Sequence, residues 1–318
     1  MRTLLAVLVL LASAAHAQDY PTKNVTIIVP YPAGGPTDQL ARQLAPKFGE
    51  KLGQPFIVEN VSGGNTTIAT GRVAHAAPDG HTLLLHNLQI SANVTLYPNT
   101  QYNTERDLTT VGFINRNPLV MIGRKSLPPN NLGELIAYMK THSLNIAHPG
   151  AGATGHLATS LFLQEAKLQA VMVPYRGAAP AMQDILGDHV DLFVATPQSV
   201  VKLVQAGQIK AYGITDRQSY AQFPGVASFV GEVSPKLEIF YWHALFAPAA
   251  TPKPVIEKLN AVLQAVEDDP AIVKGWEAAG VAPFPKDERS PEGGQALMKS
   301  EVARWGQVIR DNNIQGPQ

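Results

Sequence analysis

The sequence predicts an α/β protein with two similar halves. Short apolar runs rich in β-branched residues, of the kind that form strands buried on both faces, alternate with segments whose apolar residues recur every three or four positions. This strand–helix order restarts at about residue 119, and no long Gly/Ser linker separates the halves. We therefore predict two α/β lobes that are joined by strand crossovers, with a ligand cleft between them.

The first half begins with NVTIIVP at 24–30, which reads as a buried strand, and FIVEN (56–60) and HTLLLHN (81–87) follow as the next strands. Between the first two, apolar residues from Leu40 to Leu52 recur every four positions and predict a helix with one buried face. Thr37 or Asp38 is the expected N-cap, and Pro46 should kink or split this helix. The β-α-β-α-β order predicts a parallel sheet.

The second half repeats the pattern. Its expected strands are at 119–125, 144–148, 170–176, 190–196 and 209–215. The segment from Pro254 to about Gly280 and that from about Gly293 to Asp311 are predicted helices. We assign residues 18–118 and 245–318 to the first lobe and 119–244 to the second, with crossovers near 112–122 and 239–247.

The N-terminus predicts export. Arg2 precedes a short apolar run and an A-x-A site at 15–17, so residues 1–17 read as a signal peptide. The mature protein is then expected to be soluble and, in a Gram-negative bacterium, periplasmic. A net charge of zero does not suggest nucleic-acid binding, and the absence of cysteine excludes thiolate catalysis and disulfides. Since neither an H-E-x-x-H motif nor a tight His/Asp cluster is present, we expect no metal site.

Three glycine-rich turns connect a predicted strand to a predicted helix. They are PAGGPTD (32–38), SGGNTT (62–67) and PGAGATGH (149–156). Each should place backbone N–H groups and a helix N-terminus at the carboxyl end of a strand, where α/β sheets bind ligands and where anions are favoured. The alternative is a tight turn without a ligand.

The sequence GAGATG at 150–155 also matches the G-x-G-x-x-G dinucleotide fingerprint. That fingerprint needs an acidic residue at the end of the next strand, about 20 residues on, to hold the ribose. Here that strand ends in Tyr175-Arg176, and an exported protein is an unsuitable place for NAD. We therefore expect no dinucleotide or other cofactor.

Four stretches together resemble the solute-binding receptors of tripartite tricarboxylate transporters, the Bug-type family. They are VPYPAGGPTDQLARQLAPKFGEKLGQPFIVEN, GGNTTIATGRVAHAAPDGHTLLL, VPYRGAAPAMQDILGDHVDL and FAPAATPKPVIEKLN. The resemblance implies a two-lobed periplasmic binding protein of type II that closes on a small organic carboxylate, and the sequence leaves open whether this is a mono-, di- or tricarboxylate, aliphatic or aromatic. It also implies delivery of that carboxylate to membrane transporter subunits, by a receptor that is expected to be a monomer and not an enzyme.

The resemblance and the glycine-rich turns together give the candidate ligand-binding residues. They are Tyr31, Pro32, Ala33, Gly34, Gly35, Thr37, Asp38, Asn65, Thr66, Gln89, Gly152, Ala153, Thr154, His156, Arg176, Ala195 and Thr196.

For some of these residues the sequence leaves two interpretations open. Arg176 could pair with a ligand carboxylate or lie on the surface, and His156 could contact the ligand or only occupy the first turn of its helix. Ala195 stands where many family members carry Asp, which weakly favours a ligand without a cationic group. The segment HNLQISANV (86–94) replaces a Gly/Ser-rich segment, which predicts an altered specificity. An exported enzyme that uses the same cleft is the alternative function, although no positioned nucleophile or base is visible.

Overall fold

The computed structural model describes residues 20–218 and 220–316, and the predicted signal peptide lies outside them. The described chain forms two six-stranded sheets and divides into two compact units. The first unit contains the described residues up to Asn115, together with His243–Lys274 and Pro283–Glu301. The second unit contains Arg116–Trp242, Gly275–Ala282 and the described residues from Val302 onward. Among the described residues, no helix is both long and apolar enough to cross a membrane.

Most residues of the sheet with the strand order β12-β4-β11-β3-β1-β2 belong to the first unit, and β4, β11 and β12 also contain residues of the second. Its strands are β1 (Val25–Val29), β2 (Phe56–Asn60), β3 (Thr82–Asn87), β4 (Leu108–Pro118), β11 (Phe240–Pro248) and β12 (Ala282–Pro283). Its helices are α1 (Pro36–Leu52), α2 (Thr67–Ala74), α3 (Gln89–Leu96), α4 (Thr104–Asp107) and α10 (Lys253–Glu267). A one-turn 3₁₀ segment, Gly64–Thr66, precedes α2.

The three N-terminal strands determine where the loops of this unit lie. β1 is flanked by β2 and β3, both parallel to it, so the loops after all three strands are at the same edge of the sheet. β11 then pairs with β3 in the antiparallel sense. The sheet is therefore mixed, whereas the sequence order alone predicted parallel strands.

The second unit contains the sheet with the strand order β10-β9-β5-β8-β6-β7. Its strands are β5 (Val120–Arg124), β6 (Asn145–His148), β7 (Val171–Pro174), β8 (Leu192–Ala195), β9 (Ile209–Ile214) and β10 (Ala227–Ser228). Its helices are α5 (Leu132–Met139), α6 (Thr154–Ala166), α7 (Ala178–Leu186), α8 (Pro197–Gln205) and α9 (Phe229–Glu232). β6, β7 and β8 are parallel, so the loops that follow them share one edge, while β5 is antiparallel to β8 and β9.

The chain passes from the first unit to the second within β4, after Asn115, and returns within β11, before His243. Both positions fall in the segments that the sequence suggested as crossovers. The C-terminal part differs from the predicted division, which assigned all of 245–318 to the first lobe. Residues 275–282 and those from Val302 onward belong to the second unit, and helices α11 (Pro270–Ala278) and α12 (Pro291–Asp311) each contain residues of both units.

Helix α1 corrects two expectations. Its N-cap is Gly35, Pro36 occupies the first turn, and Thr37 and Asp38 lie inside the helix. Proline suits that position because the first-turn N–H groups have no intrahelical acceptor. Pro46 does not split the helix, which continues to Leu52 because its buried face runs through the proline on both sides.

The predicted helical segment from Pro254 to about Gly280 is two helices. α10 ends at Glu267 and α11 begins at Pro270. A proline disfavours helical backbone in the residue before it, so Asp269 is a natural point of separation.

Candidate ligand-binding site

In the first unit, the loop between β1 and α1 carries five of the predicted site residues. Pro32, Ala33 and Gly34 are exposed, and Tyr31 and Gly35 are half-buried. Gly34 has φ of +88°, a left-handed conformation that favours glycine. The loop ends at the N-terminus of α1, a helix of 17 residues, where backbone N–H groups and the helix dipole favour an anion.

Asp38 holds this loop in place. Its carboxylate is 2% exposed and accepts hydrogen bonds from Gly34 N (2.8 Å), Asn60 Nδ2 (2.9 Å) and Arg42 Nε (3.0 Å). Burial raises the pKa of this carboxyl, but the hydrogen bonds from Arg42, Gly34 and Asn60 outweigh burial and bring the pKa below its ordinary value. Asn60 Nδ2 also donates to Tyr31 O at 3.0 Å. The ion pair with Arg42 compensates the negative charge that Asp38 places at the start of the helix.

The hydroxyl of Thr37 points into the unit. Thr37 is 2% exposed, and its Oγ1 lies 3.2 Å from His243 Nε2. His243 Nδ1 lies 2.8 Å from Asn115 Oδ1, which can only accept, so Nδ1 carries the proton and Nε2 accepts from Thr37. Burial lowers the pKa of His243 to about 3, which keeps the ring neutral. The Thr37 hydroxyl is therefore used inside the unit, against His243.

The second glycine-rich loop contains consecutive residues with left-handed backbone. Asn65 has φ of +50° and Thr66 has φ of +76°. Asparagine tolerates this region, but a β-branched threonine there is strained, and such strain concentrates at functional positions. Asn93 Nδ2 supports the turn by donating to Asn65 O (2.8 Å) and to Thr66 Oγ1 (2.9 Å).

Helix α3 connects the two loops of the first unit. Gln89 Nε2 donates to Asn65 Oδ1 at 2.7 Å, and Gln89 Oε1 accepts from Tyr31 OH at 3.3 Å. His86, at the end of β3, places Nε2 at 3.0 Å from Thr66 Oγ1. Tyr31, Asn65, Thr66 and Gln89 are thus joined in one hydrogen-bonded cluster at the edge of the sheet where β1, β2 and β3 end.

In the second unit, the loop before α6 places Gly152, Ala153, Thr154 and His156 together. Ala153 is the N-cap of this 13-residue helix, so the N–H groups of its first turn have no intrahelical acceptor. His156 Nδ1 accepts from Gly152 N at 3.1 Å, which leaves the ring proton on Nε2. Burial, and secondarily the neighbouring His148, lower the pKa of His156 to about 4. The neutral ring stacks on His148 with ring centroids 4.0 Å apart.

The other predicted residues of the second unit lie on the loops after β7 and β8. Arg176 is exposed and makes no hydrogen bond or ion pair within the described chain. Ala195 is buried at the end of β8, and Thr196 is the N-cap of α8. Because β6, β7 and β8 are parallel, these loops lie at the same edge of the sheet as the Gly152 loop.

Several polar residues of the first unit were not among the predicted ligand-binding residues. They are Asn60, His86, Asn87, Asn93, Asn115 and His243. The signal for some of them was in HNLQISANV, where Gln89 and Asn93 are four positions apart and would share one face of a helix. Asn115 and His243 are 128 residues apart, so no local pattern could have paired them.

Within the part of the chain that the structure describes, no group of three or more His, Asp or Glu residues could hold a metal ion. The chemistry that these two units offer is hydrogen-bond donation, from backbone N–H groups, hydroxyls and neutral imidazole.

Comparisons with known proteins give a consistent result. Residues 40–314 match the model of the "Tripartite tricarboxylate transporter family receptor". The periplasmic binding protein BugD is 33% identical, with a TM-score of 0.83, and the match covers 94% of this chain and 100% of BugD.

Two similar solved structures contain a ligand. MatC of Rhodopseudomonas palustris, with bound malate, is 33% identical with a TM-score of 0.81, covering 91% of this chain and 100% of MatC. Rpa4515 of R. palustris, with adipate, is 30% identical with a TM-score of 0.84, covering 94% of this chain and 100% of Rpa4515. These neighbours are solute-binding proteins and not enzymes. The chain is thus a two-unit α/β solute-binding receptor, and it belongs to the tripartite tricarboxylate transporter receptor family.

Proposed function

We propose that this receptor is exported to the periplasm, after removal of residues 1–17, and captures a small organic carboxylate there. It acts as a monomer and delivers the acid to the membrane subunits of a tripartite-type transporter. Family membership supports the receptor role, and the N-terminal sequence supports export.

The main support for a carboxylate is the pair of glycine-rich helix N-termini, one in each unit. α1 and α6 each begin directly after such a loop, and each presents first-turn N–H groups without intrahelical acceptors. A carboxylate can accept two such hydrogen bonds and is further favoured by the helix dipole.

The residues proposed to contact the acid are those of the loops described above. In the first unit these are Tyr31 to Gly35, the backbone of Thr37 and Asp38, Asn65, Thr66 and Gln89. In the second unit they are Gly152, Ala153, Thr154, His156, Arg176, Ala195 and Thr196. The Asp38 side chain acts indirectly, because its carboxylate is occupied by Gly34, Asn60 and Arg42.

We propose a dicarboxylate as the ligand class. Malate and adipate, the acids bound in two neighbours of at least 30% identity, both carry two carboxylates. The neutrality of His156 and the absence of a charged partner for Arg176 are compatible with an anionic ligand.

A thermal-shift screen of residues 18–318 tests the proposal. The panel contains malate, adipate and other mono-, di- and tricarboxylates, with their amide analogues and NAD(P) as controls. An acid at a hundred times its dissociation constant stabilises the folded state by about 2.7 kcal/mol, which raises the melting temperature by several degrees. A shift with an acid and none with its amide supports the proposal. A response only to NAD(P) or to neutral compounds would refute it.

A further inference from the structure

The hydroxyl of Thr66 makes two hydrogen bonds within the described chain, and the protonation of its partners defines its own role. Asn93 Nδ2 lies 2.9 Å from Thr66 Oγ1 and can only donate. His86 Nε2 lies 3.0 Å from the same oxygen and donates or accepts according to the tautomer of the ring. The tautomer of His86 therefore decides whether the Thr66 proton is used inside the protein.

The backbone next to His86 offers Nδ1 both a donor and an acceptor, and the donor is the closer of the two. The N–H of Asn87 points at His86 Nδ1 from 2.8 Å, so Nδ1 serves as an acceptor. A proton on Nδ1 would face the Asn87 N–H directly, although it would also have Asn87 O within 3.0 Å. His86 is fully buried, and burial lowers its pKa to about 3, so the ring is neutral and carries one proton. With Nδ1 accepting from Asn87, that proton is on Nε2 and is donated to Thr66.

With both neighbours donating, the two lone pairs of the Thr66 oxygen are occupied. In this tautomer the structure shows no acceptor for the Thr66 hydroxyl proton within the described chain. Thr66 is 4% exposed, and a buried donor without a partner is costly. The left-handed backbone of Thr66 adds strain at the same residue, so two independent features single out this position.

We propose that Thr66 donates its hydroxyl proton to an oxygen of the bound acid, and that His86 is the positioning residue that imposes this polarity. This inference rests on the proposed function and adds a specificity rule to it. The ligand atom at Thr66 must be an acceptor, such as a carboxylate or carbonyl oxygen. An ammonium group is disfavoured at this position, because its N–H groups would face the hydroxyl proton of Thr66.

The first arm of the test examines the tautomer without any ligand. Two-bond ¹H–¹⁵N correlation spectra of the ¹⁵N-labelled protein distinguish a protonated from an unprotonated ring nitrogen, and His86→Gln assigns the signal. We expect His86 to be protonated at Nε2 and unprotonated at Nδ1 near pH 7. The opposite tautomer would overturn the inference, because Thr66 would then donate to His86.

The second arm measures affinity for malate and adipate by calorimetry. Thr66→Val keeps the shape and removes the hydroxyl, so we expect affinity to fall by about tenfold or more, the range for a hydrogen bond to a charged group. Thr66→Ser keeps the hydroxyl and should stay within a few-fold of the wild type. His86→Gln can still donate to Thr66 through its amide and should retain most of the affinity, whereas His86→Leu should not.

Thr70→Val is the matched control. Thr70 is buried one turn further along α2, and its hydroxyl donates to Thr66 O at 2.9 Å, so the variant loses this internal hydrogen bond. Equal losses of affinity in Thr66→Val and Thr70→Val would mean that only the structure of the loop matters. Unchanged affinity in Thr66→Val would mean that water, and not the ligand, accepts the Thr66 hydroxyl proton. Either result overturns this inference alone. A wild type that binds neither these acids nor any other in the panel would instead refute the proposed function.

Discussion

Glu267, the last residue of α10, should lower the stability of the protein at neutral pH. Its side chain is fully buried, and neither carboxyl oxygen accepts a hydrogen bond within the described chain. Arg289 Nε is 3.0 Å from Oε2, but its N–H is donated to Phe284 O at 2.6 Å, and Arg289 Nη1 donates to Asp268. Arg289 is thus close to Glu267 without hydrogen bonding to it.

Burial raises the pKa of Glu267 from an ordinary value of 4.5 to about 9. The charge of Arg289 opposes this increase, and that of Asp268 adds to it. The folded state therefore retains a proton that the unfolded chain releases above pH 4.5. For a group with a raised pKa, stability is greatest below the unfolded pKa and declines until the folded pKa is reached. At about 1.4 kcal/mol per pKa unit, the free energy of unfolding is lowered by about 3 kcal/mol at pH 7.

The substitution Glu267→Gln tests this reasoning, because glutamine has nearly the shape of the protonated acid and does not titrate. Urea unfolding of both proteins, followed by circular dichroism from pH 4.5 to 9, gives the difference in free energy of unfolding. We expect little difference near pH 4.5 and an advantage for the variant that grows to about 3 kcal/mol at pH 7.

Glu257→Gln serves as the control, since Glu257 lies on the same helix, is exposed, and should change stability by about 0.5 kcal/mol or less. A difference that does not vary with pH, or a Glu267→Gln variant that is less stable at pH 7, would show that Glu267 is ionised and paired with Arg289.

Three other predictions concern the binding loops. Asp38→Ala leaves three donors without their acceptor, so we expect the free energy of unfolding in urea to fall by about 3 kcal/mol. We also expect weaker binding of the acid, and unchanged affinity would contradict the role given to Asp38. Gly34→Val places a β-branched residue at φ of +88°, so it should abolish binding of the acid and lower the stability by about 1–2 kcal/mol. The control is Gly207→Val, which has φ of +64° and is also in open space; it should lower the stability by a similar amount and bind the acid normally. His156 should titrate near pH 4 in NMR spectra, because it is buried beside His148, and a midpoint near 6.5 would show that the ring is solvated.

Most strands could be predicted because their signal is local. The expected strand at 24–30 is β1 (Val25–Val29), and that at 81–87 is β3 (Thr82–Asn87). A strand that is buried on both faces must be apolar along its length, so its composition reveals it without knowledge of its neighbours. The positions of the glycine-rich loops follow from the strand ends and were predicted for the same reason.

Helix α3 (Gln89–Leu96) was not predicted as a helix. Its buried residues include Gln89, Ser91 and Asn93. The apolar residues at intervals of three and four that indicate a buried helix face are therefore missing from its sequence. Polar residues are tolerated there because the loops around Tyr31 and Asn65 provide their hydrogen-bond partners. Those partners come from other parts of the chain.

The sequence by itself determined the α/β class, the restart of the pattern near residue 119, the resemblance to the receptor family and the glycine-rich helix N-termini. These features depend on short-range periodicity, on backbone conformations that favour glycine, and on family motifs. Only the tertiary structure decided that Asp38 supports the Gly34 loop, that the Thr37 hydroxyl lies against His243, and that His86 and Asn93 both lie within hydrogen-bond distance of the Thr66 hydroxyl. The physical reason is that the direction of a hydrogen bond depends on both partners, and here the partners come from strands and helices that are far apart in the sequence.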